Sequence, residues 1–342
     1  MAGFKSEPKL APGAPERTAV LLCNLGTPDE PTAPAVRRYL AEFLSDRRVV
    51  EIPRFVWLAI LYGIILRTRP AKSAKKYATV WTPEGSPLRL WTDKQTTLLR
   101  GYLGERGHPV LVRSAMRYGQ PAIAQVLDEL KAAGATRILI LPLYPQYSAT
   151  TTASVFDAVY TWASRTRALP ELRFVNRYFD DPGYIDSLAS SIRDAWTTRG
   201  RPDKLVLSFH GIPQRAVALG DPYQSECQAT AGLLIQRLRL AEDQVVVTFQ
   251  SRLGRAAWLQ PYTEPTLIEL AKQGVKRVDV ACPGFTSDCL ETLEEINQEA
   301  RAAFLSNGGQ EFNYVPCLND RHEWIAALSA LSIRNLQGWP TA

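Results

Sequence analysis

The chain lacks the marks of several functional classes. Its five cysteines (Cys23, Cys227, Cys282, Cys289, Cys317) are odd in number and none stands in a CxxC pair. That argues against a zinc site or a disulfide framework and fits a reducing cytoplasm. No apolar run approaches the length needed to span a bilayer. The N-terminal MAGFKSEPKLAPGAPER has no apolar core of signal-peptide length, so residues 1–16 read as a flexible arm. Asn24-Leu25-Gly26-Thr27-Pro28 follows an apolar run without G-x-G-x-x-G spacing, no GK[ST] is present, and Gly254 is isolated. Neither a dinucleotide cradle nor a Walker-type phosphate loop is expected. No stripe of Arg and Lys interleaved with aromatics suggests a nucleic-acid groove. Histidine is scarce, with only His108, His210 and His322.

What remains is the balance of a soluble globular protein. The 342 residues are 46% hydrophobic and 22% charged, with a net charge of +6. This mild excess suits an acidic small molecule or an anionic lipid surface. Short β-branched runs alternate with amphipathic stretches, which predicts parallel strands with helices packed on them. Strands are expected at Ala19–Gly26, Pro109–Ala115 and Arg137–Tyr144, then at Leu172–Asn176, Lys204–Phe209, Gln244–Phe249 and Arg277–Ala281. Several are apolar on both faces, as a sheet covered on both sides requires. Two groups of about four strands suggest two similar α/β lobes joined near Ser164–Pro170. A last helix, His322–Leu336, either finishes the second lobe or crosses back to the first.

Phe55–Leu66 (FVWLAILYGIIL) is apolar on every helical face and is followed by Arg67, Arg69, Lys72, Lys75 and Lys76. At ~1.5 Å per residue it rises about 18 Å, against roughly 30 Å of bilayer core. It is either a buried core helix or an exposed lip touching lipid or a greasy ligand, its basic flank meeting headgroups or carboxylates.

Chemistry concentrates at strand ends. The run Leu205–Phe209 stops at His210-Gly211-Ile212-Pro213, and in an open α/β sheet ligands sit outside the carboxyl ends of strands. After Val278–Ala281 comes Cys282-Pro283-Gly284, then a helix beginning near Ser287 or Asp288 on which Asp288, Glu291 and Glu295 follow at i, i+3 and i+7. That spacing places three carboxylates along one face, either a solvated face complementing the helix dipole or a functional row. A neutral imidazole facing such a row is suited to accept a proton from a weakly acidic N–H or O–H. It is equally suited to hold a divalent ion loosely with carboxylate oxygen. The hydroxyl-rich Leu143–Thr152 tract either lines a cleft or caps the next helix.

Together these segments resemble the ferrochelatases, which insert ferrous iron into a porphyrin at the last step of haem synthesis. The resemblance runs from about Ala19 to Leu336 through LCNLGTP, GSPLRLWT, MRYGQP, PLYPQYSATTT, LSFHGIP, GDPY, FQSRLGRAAWLQP and PGFTSDCLETLEE. It implies two Rossmann-like lobes, each a parallel sheet flanked by helices, with a cleft between them. The expected division is 17–167 with 318–338 against 168–317. It implies that His210 is the essential histidine and pyrrole proton acceptor, Glu291 its acidic partner, and Glu295 the next acid on a metal or proton path. Arg69, Tyr77 and Ser86 fall where the family contacts porphyrin propionates, while Leu25, Tyr147 and Trp258 match positions lining the macrocycle. Phe55–Leu66 matches the family's apolar lip, a peripheral membrane contact for a cytoplasmic enzyme, on the inner face of the membrane.

Departures from the family carry their own implications. Many relatives have histidine where this chain has Cys289. Animal members bind a two-iron cluster through cysteines in a C-terminal extension and one near the PQYS motif; that position is Ala149 here and the extension is missing, so no iron–sulfur cluster is expected. No other tightly bound cofactor is expected either, since Fe2+ is a substrate. Relatives preferring coproporphyrin often have tyrosine at the Leu25 position, which with the greasy lip tilts the expected substrate to protoporphyrin IX. The competing readings are a coproporphyrin or other tetrapyrrole chelatase and a non-catalytic tetrapyrrole carrier.

Overall fold

The computed structural model describes residues 4, 6–8, 13, 15–252, 254 and 256–341. It divides into two units, 1–143 with 149–176 and 325–342, and 144–148 with 177–324. Both are α/β. The first holds strands β1 (Arg17–Gly26), β2 (Leu111–Tyr118), β3 (Ala135–Pro142) and β4 (Glu171–Phe174) in a parallel sheet of order β2-β1-β3-β4. The second holds β5 (Lys204–His210), β6 (Val245–Gln250), β7 (Arg277–Ala281) and β8 (Glu311–Val315) in the equivalent parallel order β6-β5-β7-β8. Central strands β1 and β5 are buried nearly throughout, because helices cover both faces of a parallel sheet and leave no polar side.

Two strands depart from the sequence expectation. The run near Leu172, grouped with the later strands, is β4, the outer strand of the first sheet, with Ile138 opposite Leu172 and Ile140 opposite Phe174. This pairing moves the boundary from 167/168 to 176/177. Strand β8 escapes the pattern because Asn313 interrupts its apolar run; the side chain is buried and accepts from Arg199 Nη1 at 2.6 Å. The last helix (His322–Leu336) joins the first unit from Ile325 onward rather than from 318. Leu318 and Asn319 stay with the second unit because Asn319 donates its backbone N–H to Thr286 O at 3.0 Å and its side-chain amide to Asp288 Oδ2 at 2.7 Å.

Parts of the expected arm 1–16 lie outside the described residues. Among those described, Glu7 accepts the backbone N–H groups of Arg167 and Ala168 at 2.7 and 3.0 Å and is paired with Lys131. The Lys131 ammonium, with these amides, holds the Glu7 carboxyl down to about 2. Glu7 is therefore docked on the first unit.

The apolar segment is buried on one side and exposed on the other along a single helical path. It runs as α-helix Arg54–Ile60, a wider π-helical stretch Leu61–Ile65, and α-helix Leu66–Val80. Trp57, Leu61 and Leu66 are buried, and Trp57 Nε1 donates to Leu44 O at 2.6 Å on the helix Ala33–Leu44. Phe55 is 81% and Ile64 60% exposed, with Tyr62 beside them. Pro70 sits inside the helix and has no N–H for the carbonyl of Leu66. Arg37 Nε supplies the missing donor at 3.2 Å.

Asp46 ties three elements of the first unit together. Its Oδ2 accepts from Arg117 Nη2 at 2.6 Å, Tyr118 OH at 2.8 Å and Ser154 Oγ at 2.6 Å, and its Oδ1 from Arg48 N at 2.7 Å. Burial alone raises its pKa, but these donors and the Arg117 charge outweigh burial and hold it below the ordinary 3.8. A folded-state pKa below the unfolded one adds stability that is complete above the unfolded value and lost as pH falls through the folded one. Asp46→Asn is expected to cost about 2 kcal/mol at pH 7. In denaturant titrations across pH, the gap from the wild type should close as pH falls below 3.8; a gap independent of pH would refute the ionic origin.

Candidate active site

The second unit carries a concentration of chemistry at one end of its sheet. Strand β5 is central, with β6 on one side and β7 on the other. The connections leaving β5 and β7 therefore diverge, and the gap between their carboxyl ends is a topological switch point where α/β proteins place ligands. His210 is the last residue of β5, and Glu291 follows β7.

His210 is half-buried, its Nδ1 2.6 Å from Gly211 O and its ring 6.4 Å from that of Phe285. With Nδ1 engaged by a carbonyl, Nε2 is the nitrogen left to act on a ligand. Gly211 permits a close approach: a Cβ there would lie 2.9 Å from Ser251 O, 3.0 Å from Gln250 O and 3.3 Å from the Trp258 ring. The Pro213–Trp258 bridge and the bond from Leu259 N to Ile212 O (3.0 Å) seat Trp258 beside the histidine turn.

Glu291 opens a ten-residue π-helix, Glu291–Ala300. Its wider turn (i→i+5 bonding) brings residues four and five apart onto one side, so Glu291 and Glu295, both half-buried, share a face. Asp288 leaves that row. It is buried, accepting from Thr292 Oγ1 at 3.1 Å, Asn319 Nδ2 at 2.7 Å, Cys317 N at 3.4 Å and the Tyr314 hydroxyl. The expected line of three acids is thus two, and Asp288 is a packing hub. Beyond Glu291, Glu295 accepts from the Ser251 hydroxyl, and Ser251 adopts a left-handed φ of 60°. A pocket of about 250 Å3 lies beside Glu295, bounded by Ser251, Arg252, Tyr262, Glu264 and Glu299. Among the described residues no three His, Cys, Asp or Glu side chains are grouped to hold a metal ion. Cys289 is buried, and burial pushes its thiol well above the ordinary range.

Tyr147 belongs to the same unit, in the segment after β3. Glu226, unremarked in the sequence, sets its backbone: Glu226 is 3% exposed, accepts Tyr147 N–H at 2.7 Å and pairs with Arg177 Nη1 at 2.5 Å. The Arg177 guanidinium lies 5.4 Å from the Tyr147 ring centroid. Desolvation raises the Glu226 pKa above the usual carboxylate value. Asp221 completes the clamp by accepting from Ser148 Oγ and Tyr223 N, each at 3.0 Å. The GDPY motif was the available signal, its acid one turn before Glu226. A Cβ on Gly284 would lie 3.5 Å from Phe209 and 3.6 Å from Gln146, so the Tyr147 segment borders the strand end that carries His210.

The remaining candidates belong to the first unit. Leu25 is half-buried at the end of β1, its N–H held by Asn24 Oδ1 at 2.8 Å while Asn24 Nδ2 donates to Thr92 Oγ1 at 3.0 Å. This bond joins the LCNLGTP and GSPLRLWT motifs. Ser86 is buried at the start of the helix Pro87–Glu105, where its side chain makes no capping bond. Tyr77 is buried edge-on to Trp81 at 6.1 Å, and Arg69 is exposed on the basic flank of the apolar segment.

Comparisons with known proteins converge. The ferrochelatase family model matches residues 17–336. A ferrochelatase of Methylibium petroleiphilum is 72% identical over 335 residues, covering 98% of this chain and 92% of the relative. One from a Polaromonas species is 66% identical over 342 residues, covering 99% and 93%. Among solved structures, SirB from Bacillus subtilis with Fe3+ has a TM-score of 0.56 at 14% identity, covering 94% of this chain and 96% of SirB; this likeness concerns the fold. The strand-end histidine, the acids on the π-helix and the ordered motifs thus sit in a scaffold shared with these relatives, and the chain belongs to the ferrochelatase family.

Proposed function

We propose that the protein inserts Fe2+ into protoporphyrin IX to give protohaem. Membership of the ferrochelatase family supports the general activity, metal insertion into a porphyrin during haem synthesis. The residue assignment rests on one observation: His210 and Glu291 flank the switch point between β5 and β7, and one residue of β6, Gln250, pairs with His210 in the strand register and donates its side-chain amide to Glu291 O.

Porphyrin metallation is slow because the flat macrocycle hides its nitrogen lone pairs and must lose two pyrrole protons. Grip on the periphery, through Leu25, Tyr147 and Trp258 on the ring and Arg69, Tyr77 and Ser86 on the propionates, supplies binding energy that favours a bent ring over a flat one. Neutral His210 then accepts a pyrrole proton through Nε2. Glu291 and Glu295 present Fe2+ or relay protons along their shared face. Iron passes through as a substrate, and neither a resident cofactor nor an iron–sulfur cluster belongs to the proposal. Leu25 at the end of β1 is the feature that favours protoporphyrin over coproporphyrin.

In anaerobic metallation assays offering both porphyrins, His210→Ala should lose about 1,000-fold or more in kcat while retaining porphyrin binding. Full activity in that variant would remove His210 from the reaction. Glu291→Gln should lower kcat by about 100-fold; an unchanged rate would make the π-helical face a solvated surface. Faster turnover of coproporphyrin would reverse the substrate assignment, and binding without turnover in the wild type would leave a tetrapyrrole carrier.

The apolar segment supports peripheral contact with the inner face of the membrane by a cytoplasmic enzyme. No helix of the described residues is long and apolar enough to cross a bilayer. Exposed Phe55, Tyr62 and Ile64 would enter the interface, with Arg67 and Lys72 facing anionic headgroups. Phe55→Glu combined with Ile64→Glu should weaken binding to anionic vesicles by about tenfold or more, given ~2 kcal/mol per buried side chain, and leave the melting temperature unchanged. Leu61→Ala, at a site with 0% exposure, should do the reverse, costing about 3 kcal/mol of stability with vesicle binding intact. Equal vesicle binding by the wild type and the double glutamate variant would reject the membrane contact.

A further inference from the structure

Gln250 is bonded to both arms of the proposed reaction centre. We propose that it is a positioning residue that fixes Glu291 relative to His210, an inference that rests on the assignment of those two residues to the reaction.

The residue ends β6 directly opposite His210 in the β5–β6 register. Its backbone carbonyl accepts Gly211 N–H at 2.7 Å, and Gly211 O is the group that engages His210 Nδ1. Its side chain, 4% exposed as a residue, reaches the other way and donates from Nε2 to Glu291 O at 2.9 Å. One residue thus spans from the histidine turn to the first residue of the π-helix.

The amide cannot be reversed without loss. Its Oε1 faces two donors, Ser208 Oγ at 2.9 Å and Cys282 Sγ at 3.5 Å, while its Nε2 faces a carbonyl. A flip would set oxygen against oxygen at Glu291. Behind it stands a buried hydroxyl chain: Ser208 Oγ lies 2.8 Å from Thr263 Oγ1, which donates to Thr248 Oγ1 at 2.9 Å. Support from these hydroxyls locks the rotamer. Glutamine also suits the chemistry of the site. A neutral donor anchors the helix without neutralising the adjacent acids, as lysine or arginine would, and without repelling them, as glutamate would. The start of a π-helix is a poor place to rely on helix bonding alone, since such stretches are rare and geometrically weak. Rotation there would swing Glu291 and Glu295 together.

The test compares Gln250→Leu and Gln250→Glu in the wild-type and Glu291→Gln backgrounds. It measures anaerobic Fe2+ insertion, porphyrin affinity by fluorescence and melting temperature. Both single variants should lose about 10- to 100-fold in kcat with the porphyrin KM and affinity changed less than about twofold. In the Glu291→Gln background, Gln250→Leu should cost less than about twofold more, because residues acting as one unit are non-additive. Multiplicative losses in the double variant would overturn the proposal, marking general damage. Unchanged kcat in Gln250→Leu beside an impaired Glu291→Gln would overturn it while leaving the His210–Glu291 reading intact; full activity of Glu291→Gln would overturn both. Gln250→Glu preserves shape, and its kcat decides the matter in the same way if the leucine variant does not fold.

Discussion

Parallel pairing of β5 with a neighbour on each side constrains everything else in the second unit. A parallel strand must be left by a crossover connection, and two crossovers leaving in opposite directions open a gap that main chain cannot fill. What stands at the rim of that gap is decided by the last residue of each strand and the first turn after it. Here these are a histidine from β5, a glutamine from β6 and the glutamate-bearing helix after β7. The first unit repeats the same strand order, but β1 ends in Leu25 and Gly26, with no titratable group. Architecture is duplicated while chemistry is not.

Much of this was legible in the sequence because burial on both faces leaves an unambiguous apolar run. The central strands β1, β3 and β5 announce themselves that way, and His210 stands out as the one imidazole at such a run's end. Legibility failed where tertiary bonds replaced local pattern. Asn313 looks like a break in a strand, yet Arg199 satisfies its oxygen inside the core. Asp288 looks like a member of an acidic row because an α-helical period would place it there; Tyr314, Asn319 and Cys317, all distant in sequence, claim its oxygens instead. Glu226 lies just after the GDPY motif and Gln250 within FQSRLGRAAWLQP, but their roles are not legible locally, since each acts on main chain brought close only by folding.

Several of these devices give a side-chain partner to backbone groups in irregular stretches of the chain. Arg37 satisfies the carbonyl orphaned by Pro70, Glu226 the amide of Tyr147, and Gln250 a carbonyl at the mouth of a π-helix. Buried main-chain groups must be paired, so irregular backbone near a site persists only where a side chain is dedicated to it. Such residues tend to be polar and nearly inaccessible, and they escape searches for exposed reactive groups.

The two faces of residues 54–66 differ in what constrains them. Trp57, Leu61 and Leu66 are locked into shape by their neighbours, whereas Phe55, Tyr62 and Ile64 answer only to the medium outside. Natural variation can therefore retune the outward row, greasier or more polar, without renegotiating the interior. A lineage is free to change the surroundings it prefers while inheriting the same scaffold.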